Sequence, residues 1–334
     1  MNYAIETFGL TKRFARTKGF IDLIHPLRRK EITAIEDVNL KIKKGELFGV
    51  LGPNGAGKTT LIKMLCTLIL PTSGTASVNG YDIVDEGDKV RASIGLVTGE
   101  ERSFYWRLSG RQNLMFFASL HGFSSSDAHR KVDELLDIVD MTDKADDRFH
   151  NYSTGIKQRM AIARGLLNDP DMLFMDEPTK SLDPDAARHL QEFSRRLAKD
   201  QKKTVFLSTH HLDEAEHLCD RIMIIDRARV RTCGSLSEIR EKMGDEVGYI
   251  LEVRRLSDEM QDKLSNMDGV IDLSTHVRHD VSSLEIRLSD GETVLPQIID
   301  AIVEGGGRIQ RCEIDEISLD SVFARIIDGG DDKR

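Results

Sequence analysis

Gly52-Pro53-Asn54-Gly55-Ala56-Gly57-Lys58-Thr59-Thr60 has the residue types and spacing to hold a chain of phosphates. It fits the pattern G-x-x-x-x-G-K-[ST], with an apolar run from Leu47 to Leu51 before it and a helix-patterned run from Thr59 to Leu70 after it. Glycines permit turns that aim successive backbone N–H groups inward as a nest for anionic oxygens. The helix that follows adds its positive end and its free N–H groups. Lys58 brings a cation to the β- and γ-phosphates, and the Thr59 hydroxyl suits Mg²⁺. Met172-Leu173-Phe174-Met175 reads as a buried strand with Asp176 at its tip, where a carboxylate can hold the same Mg²⁺, often through water. Glu177 follows at once, a carboxylate placed to orient or deprotonate an attacking water. An Asp-Glu pair after a strand also fits a solvated turn; beside the phosphate loop it completes the chemistry of a nucleoside triphosphatase.

These groups need strands and helices to bring them together. Short β-rich runs alternate with helical patterns through the first two thirds of the chain, as in an α/β domain with a largely parallel core. Thr204-Val205-Phe206-Leu207 is a further buried strand of that core. An all-helical stretch, roughly 109–168, interrupts the alternation. Ser109 with Gln112 and Ser124 with Asp127 have capping-box spacing, and Val132, Leu135, Leu136 and Val139 fall on one helical face. Ile156, Met160, Ala163 and Leu167 form the apolar side of a further helix, which stops near Asp169-Pro170. After about Gly244 the texture changes. Strand-like runs (Tyr249 to Val253, Leu284 to Leu288, Arg308 to Ile314) alternate with helices (Asp258 to Met267, Glu292 to Glu304). The expected organisation is a nucleotide-binding domain over 1–244 with an inserted helical subdomain, then a small α+β domain over 245–334.

Composition narrows the setting. Apolar residues make up 40% and charged residues 31% of 334, ordinary for a globular protein. No apolar run approaches the roughly 20 residues of a membrane helix, and the opening Met1 to Glu6 lacks the build of a signal peptide. A cytoplasmic chain is expected, with any membrane role exerted through a partner. The net charge of −9 argues against nucleic acid as the main partner. The four cysteines (Cys66, Cys219, Cys233, Cys312) show no metal or redox spacing. One stretch opposes the acidic average: Lys12, Arg13, Arg16, Lys18, Arg28, Arg29 and Lys30 against the single acid Asp22. Such a basic element suits anionic headgroups or a partner's interfacial helix, and equally a solvated loop tucked on the core.

A family emerges from the helical stretch. Tyr152-Ser153-Thr154-Gly155-Ile156-Lys157-Gln158-Arg159 resembles the ABC signature, L-S-G-G-Q followed by Q-R; Ser153 and Gly155 match it, Thr154 and Ile156 depart from it. Ser181-Leu182-Asp183 resembles the D-loop of that family, and His210, after the strand ending at Leu207, resembles its switch histidine, which contacts the γ-phosphate. Phe14 sits where the family places an aromatic that stacks on adenine, a position that equally suits a core residue. Ser318-Leu319-Asp320-Ser321-Val322-Phe323 is similar to the L-E-D-V-F ending of ATPases from the drug- and polysaccharide-export branch, and also reads as an apolar helix closing a small domain.

The resemblance covers about residues 3 to 240. It implies the P-loop core of an ABC ATPase, with ATP and Mg²⁺ bound. It also implies a head-to-tail dimer in which Ser153, Thr154 and Gly155 of one copy meet the ATP of the other, and separate membrane-spanning permease subunits on whose cytoplasmic face the chain sits. The implied activity is ATP hydrolysis driving transport, with export favoured; the alternative is an ABC ATPase acting on nucleic acid or the ribosome. One departure stands out. Gly99 occupies the place of the Q-loop glutamine, followed by Glu100 and Glu101. Three readings are open: a glutamate substitutes as a hard-oxygen ligand, water fills the place, or glycine loosens the loop.

Overall fold

The computed structural model describes residues 3–16, 30–98, 103–242, 247–278, 281–315 and 323. The chain divides into two units, Met1–Ser235 and Leu236–Arg334. Gly244, near which the sequence changes texture, lies outside the described residues.

The first unit opens with two long antiparallel strands, β1 (Tyr3–Arg16) and β2 (Lys30–Lys43), paired out to Arg16↔Lys30. Most of the basic segment between them lies outside the described residues. β3 (Leu47–Leu51) leads through the phosphate loop into α1 (Lys58–Leu65). The helix is shorter than the expected run to Leu70. Thr67 adopts a left-handed φ of 59°, and Leu68 N–H bonds back to Lys63 O at 2.8 Å while Thr67 N–H reaches Met64 O, a Schellman stop. Leu68 and Leu70 are consequently exposed.

Next come β4 (Ser73–Val78), β5 (Tyr81–Asp82), α2 (Gly87–Ser93) and β6 (Ile94–Thr98). The helical insertion follows as α3 (Gly110–Leu120), α4 (Ser125–Ile138) and α5 (Thr154–Gly165). Ser109 and Gln112 form the full reciprocal capping box. The unit finishes with β7 (Met172–Asp176), α6 (Pro184–Lys199), β8 (Thr204–Thr209), α7 (Leu212–Leu218), β9 (Arg221–Asp226) and β10 (Arg229–Gly234).

Strand order is β5-β4-β1-β2-β10-β9-β3-β8-β7-β6. The neighbours β9, β3, β8, β7 and β6 are parallel, as the continuous apolar runs require of strands buried on both faces. Their side chains separate by parity. Leu47, Leu173, Met175, Val205 and Leu207 join the cluster that includes α3 to α6. Phe48, Val50, Met172, Phe174 and Phe206 join the cluster with α1, β1 and β2. The antiparallel strands β1, β2, β4 and β5 extend that second layer.

The second unit holds α8 (Leu236–Lys242), β11 (Val247–Arg254), α9 (Asp258–Ser265), β12 (Val270–Arg278), β13 (Val281–Leu288), α10 (Gly291–Glu304) and β14 (Arg308–Asp315). From β11 onward the order is βαββαβ, and the four strands pair antiparallel as β12-β13-β11-β14, a split βαβ arrangement. β12 has no strand signal in the sequence, because Ile271 and Val277 stand exposed and give it no buried apolar run. Of the terminal motif, only Phe323 is described.

A chain ending at Ser235 is expected to remain folded and to bind ATP with parental affinity, since every phosphate-loop element lies upstream. Equilibrium binding to a monodisperse truncation checks this; loss of binding would mean that the second unit belongs to the nucleotide core.

Candidate functional site

Parallel strands deliver their carboxyl ends to one edge, where open α/β sheets bind ligands. Here the register aligns Thr98 with Asp176, Asp176 with Ser208, and Leu51 with Thr209. The phosphate loop, the Asp-Glu pair and the turn before His210 therefore emerge side by side. The phosphate loop and the Asp-Glu pair border an open cleft of about 750 Å³, lined among others by Lys58, Thr59, Thr98, Asp176, Glu177 and Lys180.

Gly57 caps α1 at φ +116°, a conformation that side-chain-bearing residues rarely adopt. A Cβ at Gly52 would meet Ile225 O at 2.3 Å, so the loop enters its turn pressed against β9. Within this wrapping Lys58 is only 4% exposed. Its ammonium donates to Gly52 O (2.6 Å) and Pro53 O (3.3 Å) and lies 3.5 Å from Glu177 Oε1. Burial pushes the Lys58 pKa down; the Glu177 and Asp176 carboxylates act against that.

Asp176 Oδ1 accepts from Ser208 Oγ (2.6 Å) and Thr59 Oγ1 (3.2 Å). Ser208 Oγ and Ser208 O both accept the Glu177 N–H, at 3.1 Å each. That clamp holds Glu177 at a left-handed φ of 47°, a strain of the kind that collects at functional sites. The Glu177 carboxylate meets three basic side chains: Lys58, Lys180 Nζ at 2.9 Å, and His210 Nδ1 at 3.5 Å from Oε1. Burial alone raises its pKa, but the Lys180 hydrogen bond and the charges of Lys58, Lys180 and His210 outweigh it and leave the group below the ordinary glutamate range. At neutral pH it is ionised, an acceptor ready for a water proton.

The other expected residues are placed as follows. Ser153 N-caps α5, its Oγ accepting from Ile156 N–H, and both Ser153 and Thr154 are exposed. Thr154 borders the same cleft as Lys58. Asp183 N-caps α6 through Ala186 N–H at 2.8 Å, with Pro184 opening the helix. Phe14 is 42% exposed under the Lys12 ammonium, so it is not a core residue; it pairs across the sheet with Ile32, two residues before the cleft-lining Ala34. Gly99 and Glu100 lie outside the described residues, just past Thr98.

Several residues at the site were not foreseen. Lys180 reads in sequence as a surface lysine, and Ser208 as the end of a core strand. Only the β7–β8 pairing brings Ser208 to Asp176 across 32 positions. The position of Ser208, one residue past the apolar run and two before His210, was the available signal.

Comparison with known proteins gives a consistent result. The ABC transporter family model matches residues 35–180, and a model for the C-terminal domain of DrrA1-3-like ATP-binding proteins matches residues 234–327. The daunorubicin/doxorubicin resistance ATP-binding protein DrrA of Streptomyces peucetius is 35% identical over 96% of this chain and 91% of its own length. The structure of cbiO1 from Clostridium perfringens, part of the ABC transporter complex cbiONQ, superposes with a TM-score of 0.61 at 26% identity, covering 73% of this chain and 95% of that one. The dimeric structure of MJ0796, a bacterial ABC transporter cassette, gives 0.60 at 26% identity, over 70% and 98%.

Ser208→Ala is expected to destabilise the protein by about 1–3 kcal/mol, the usual cost of leaving buried polar partners unmatched. Urea denaturation reads this directly; an unchanged midpoint would mean that Asp176 and Glu177 N–H are satisfied without the hydroxyl.

Proposed function

Because the chain belongs to the ABC transporter ATP-binding family, we propose that it serves an exporter as the subunit that hydrolyses ATP, bound to membrane-spanning partners on the cytoplasmic face. The observation that carries this is the convergence of Lys58, Asp176 and Glu177 on one cleft, with His210 Nδ1 3.5 Å from the Glu177 carboxylate. ATP binding and hydrolysis follow from the family itself. Among the described residues no helix is long and apolar enough to cross a membrane; in this reading separate partner subunits supply the membrane path. Export is supported by the drug-resistance names of the relatives, which disfavour the nucleic-acid and ribosome alternative.

In this reading the loop N–H groups from Gly52 to Thr60 and the Lys58 ammonium hold the β- and γ-phosphates. An incoming γ-phosphate competes with Glu177 for Lys58, which frees the carboxylate to orient water. His210 stands beside the same carboxylate and contacts the γ-phosphate. Phe14 and Ile32 offer an exposed apolar pair near Ala34 on which adenine can rest. Thr59 and Asp176 present a hydroxyl and a carboxylate oxygen 3.2 Å apart, hard donors suited to Mg²⁺. When bound, that ion supplies positive charge to the phosphate oxygens.

The similar cassette MJ0796 is dimeric, and the family resemblance implies a head-to-tail pair in which Ser153, Thr154, Gly155 and Asp183 of one copy face the nucleotide of the other. On the helical insertion Tyr105 and Trp106 are about half exposed, with Phe116 packed edge-on to Tyr105. This aromatic surface suits the apolar side of a helix from the membrane partner.

Glu177→Gln is expected to keep ATP binding, slow turnover by about 10²- to 10⁴-fold, and accumulate an ATP-bound dimer; size exclusion with ATP checks the last point, and a fully active monomeric variant contradicts the mechanism. Mixing a Ser153→Arg chain with a Lys58→Ala chain separates action in trans from action on the chain's own cleft. Recovered ATPase activity supports sharing across the dimer, whereas a mixture as inactive as either parent points to the signature residues serving their own site.

A further inference from the structure

The β7–β8 ladder ends at Asp176↔Ser208. The two candidate catalytic side chains, Glu177 and His210, lie beyond that pair, on turns that the strand register no longer controls. Yet His210 Nδ1 and Glu177 Oε1 stand 3.5 Å apart. A third side chain bridges the turns. Glu214, on α7 and only 4% exposed, accepts two hydroxyl hydrogen bonds at the same oxygen: Oε2 lies 3.0 Å from Thr179 Oγ1 and 2.6 Å from Thr209 Oγ1. Thr179 is two residues past Glu177, and Thr209 immediately precedes His210. Both threonines are buried.

The connection continues at each end. Thr209 Oγ1 also accepts the His211 N–H at 3.0 Å, so the hydroxyl fixes the backbone just after His210. Thr179 O accepts the Leu182 N–H at 3.1 Å and Glu177 O the Lys180 N–H at 3.2 Å, closing the turn that carries Lys180 onto Glu177. An unbroken hydrogen-bonded chain therefore runs from the histidine turn through one carboxylate to the glutamate turn.

We infer that Glu214 is a positioning residue: through Thr209 and Thr179 it sets the separation of Glu177 from His210. The inference deepens the proposed function and rests on the roles given there to those two groups. Simple packing does not account for the arrangement. An apolar side chain would fill the same space without the cost of burying a carboxylate, and burial does push the Glu214 pKa up, against the two hydroxyl hydrogen bonds that favour its ionised form. What a carboxylate adds is an oxygen able to hold two donors from separate turns in a fixed geometry.

ATP turnover by the full chain with Mg²⁺ tests this. Glu214→Ala is expected to lower kcat about 10²-fold, the effect of a displacement near 1 Å at a reacting centre, with ATP affinity unchanged to roughly twofold because the phosphate loop is untouched. Glu214→Gln keeps an acceptor oxygen and should recover most of the lost rate. Thr179→Val removes one donor at nearly constant volume and should fall between. Adding Glu214→Ala to Glu177→Gln should cost little more, since both act on one step. If Glu214→Ala does not fold, Thr179→Val decides. Parental kcat in either folded variant, parallel losses of kcat and affinity, or full additivity with Glu177→Gln overturns the role. A Glu177→Gln chain that hydrolyses ATP normally removes the proposed base and this inference together; the expected Glu177→Gln loss beside an unaffected Glu214→Ala chain removes only the latter.

Discussion

An ammonium as enclosed as that of Lys58 stays charged only where oxygen atoms replace the water it has lost. Two come from carbonyls of its own loop and a third from Glu177. This requirement fixes the curl of the loop and draws the carboxylate of a different strand to the same point. It also gives the cleft its electrostatic character. Glu177 faces three basic side chains, so the negative charge brought by a triphosphate enters a region already rich in cations. The cations that hold the carboxylate are also those a phosphate can draw away.

That arrangement depends on strand register. Thr98, Asp176 and Ser208 form one row across three parallel strands, and Leu51 pairs with Thr209 on the next. A slip of one residue in any strand would turn its apolar set to the wrong face and move its terminal polar group out of the row. The two apolar layers therefore hold the site in place. Phe48, Phe174 and Phe206 pack in series across the strands, with ring centroids 5.8 and 5.3 Å apart. Past the row, control passes from backbone ladders to side chains. There the left-handed φ of Glu177 is held by hydrogen bonds to Ser208 on the neighbouring strand.

The helical insertion is tied to the same edge. Arg164 on α5 places its guanidinium over the rings of Phe104 and Phe117, 4.9 and 5.4 Å from their centroids, and bonds Ser103. Phe104 stacks on Phe149, 4.5 Å away. The residues that follow 99–102 are thus anchored to α5 and the insertion's own core, whereas Thr98, which precedes them, belongs to the row at the cleft.

How much could be read beforehand followed the range of the interactions. The phosphate loop, the apolar strands, the capping box at Ser109 and the signature helix were legible because glycine freedom, side-chain period and cap spacing act over a few residues. The parallel core and the helical insertion followed from the alternation of such patterns. Thr67 was misread because a Schellman turn by a β-branched residue leaves no local mark, and β12 because its outward apolar residues imitate no buried strand. Phe14 had two readings, and only the pairing of β1 with β2 showed it exposed. Ser208, Lys180 and Glu214 gained their meaning from tertiary structure alone. A serine at a strand end, a lysine in a turn and a glutamate on a short helix are ordinary in sequence. They become parts of one site because parallel pairing brings β7 beside β8, and because a buried charge is tolerated only where folding supplies its partners.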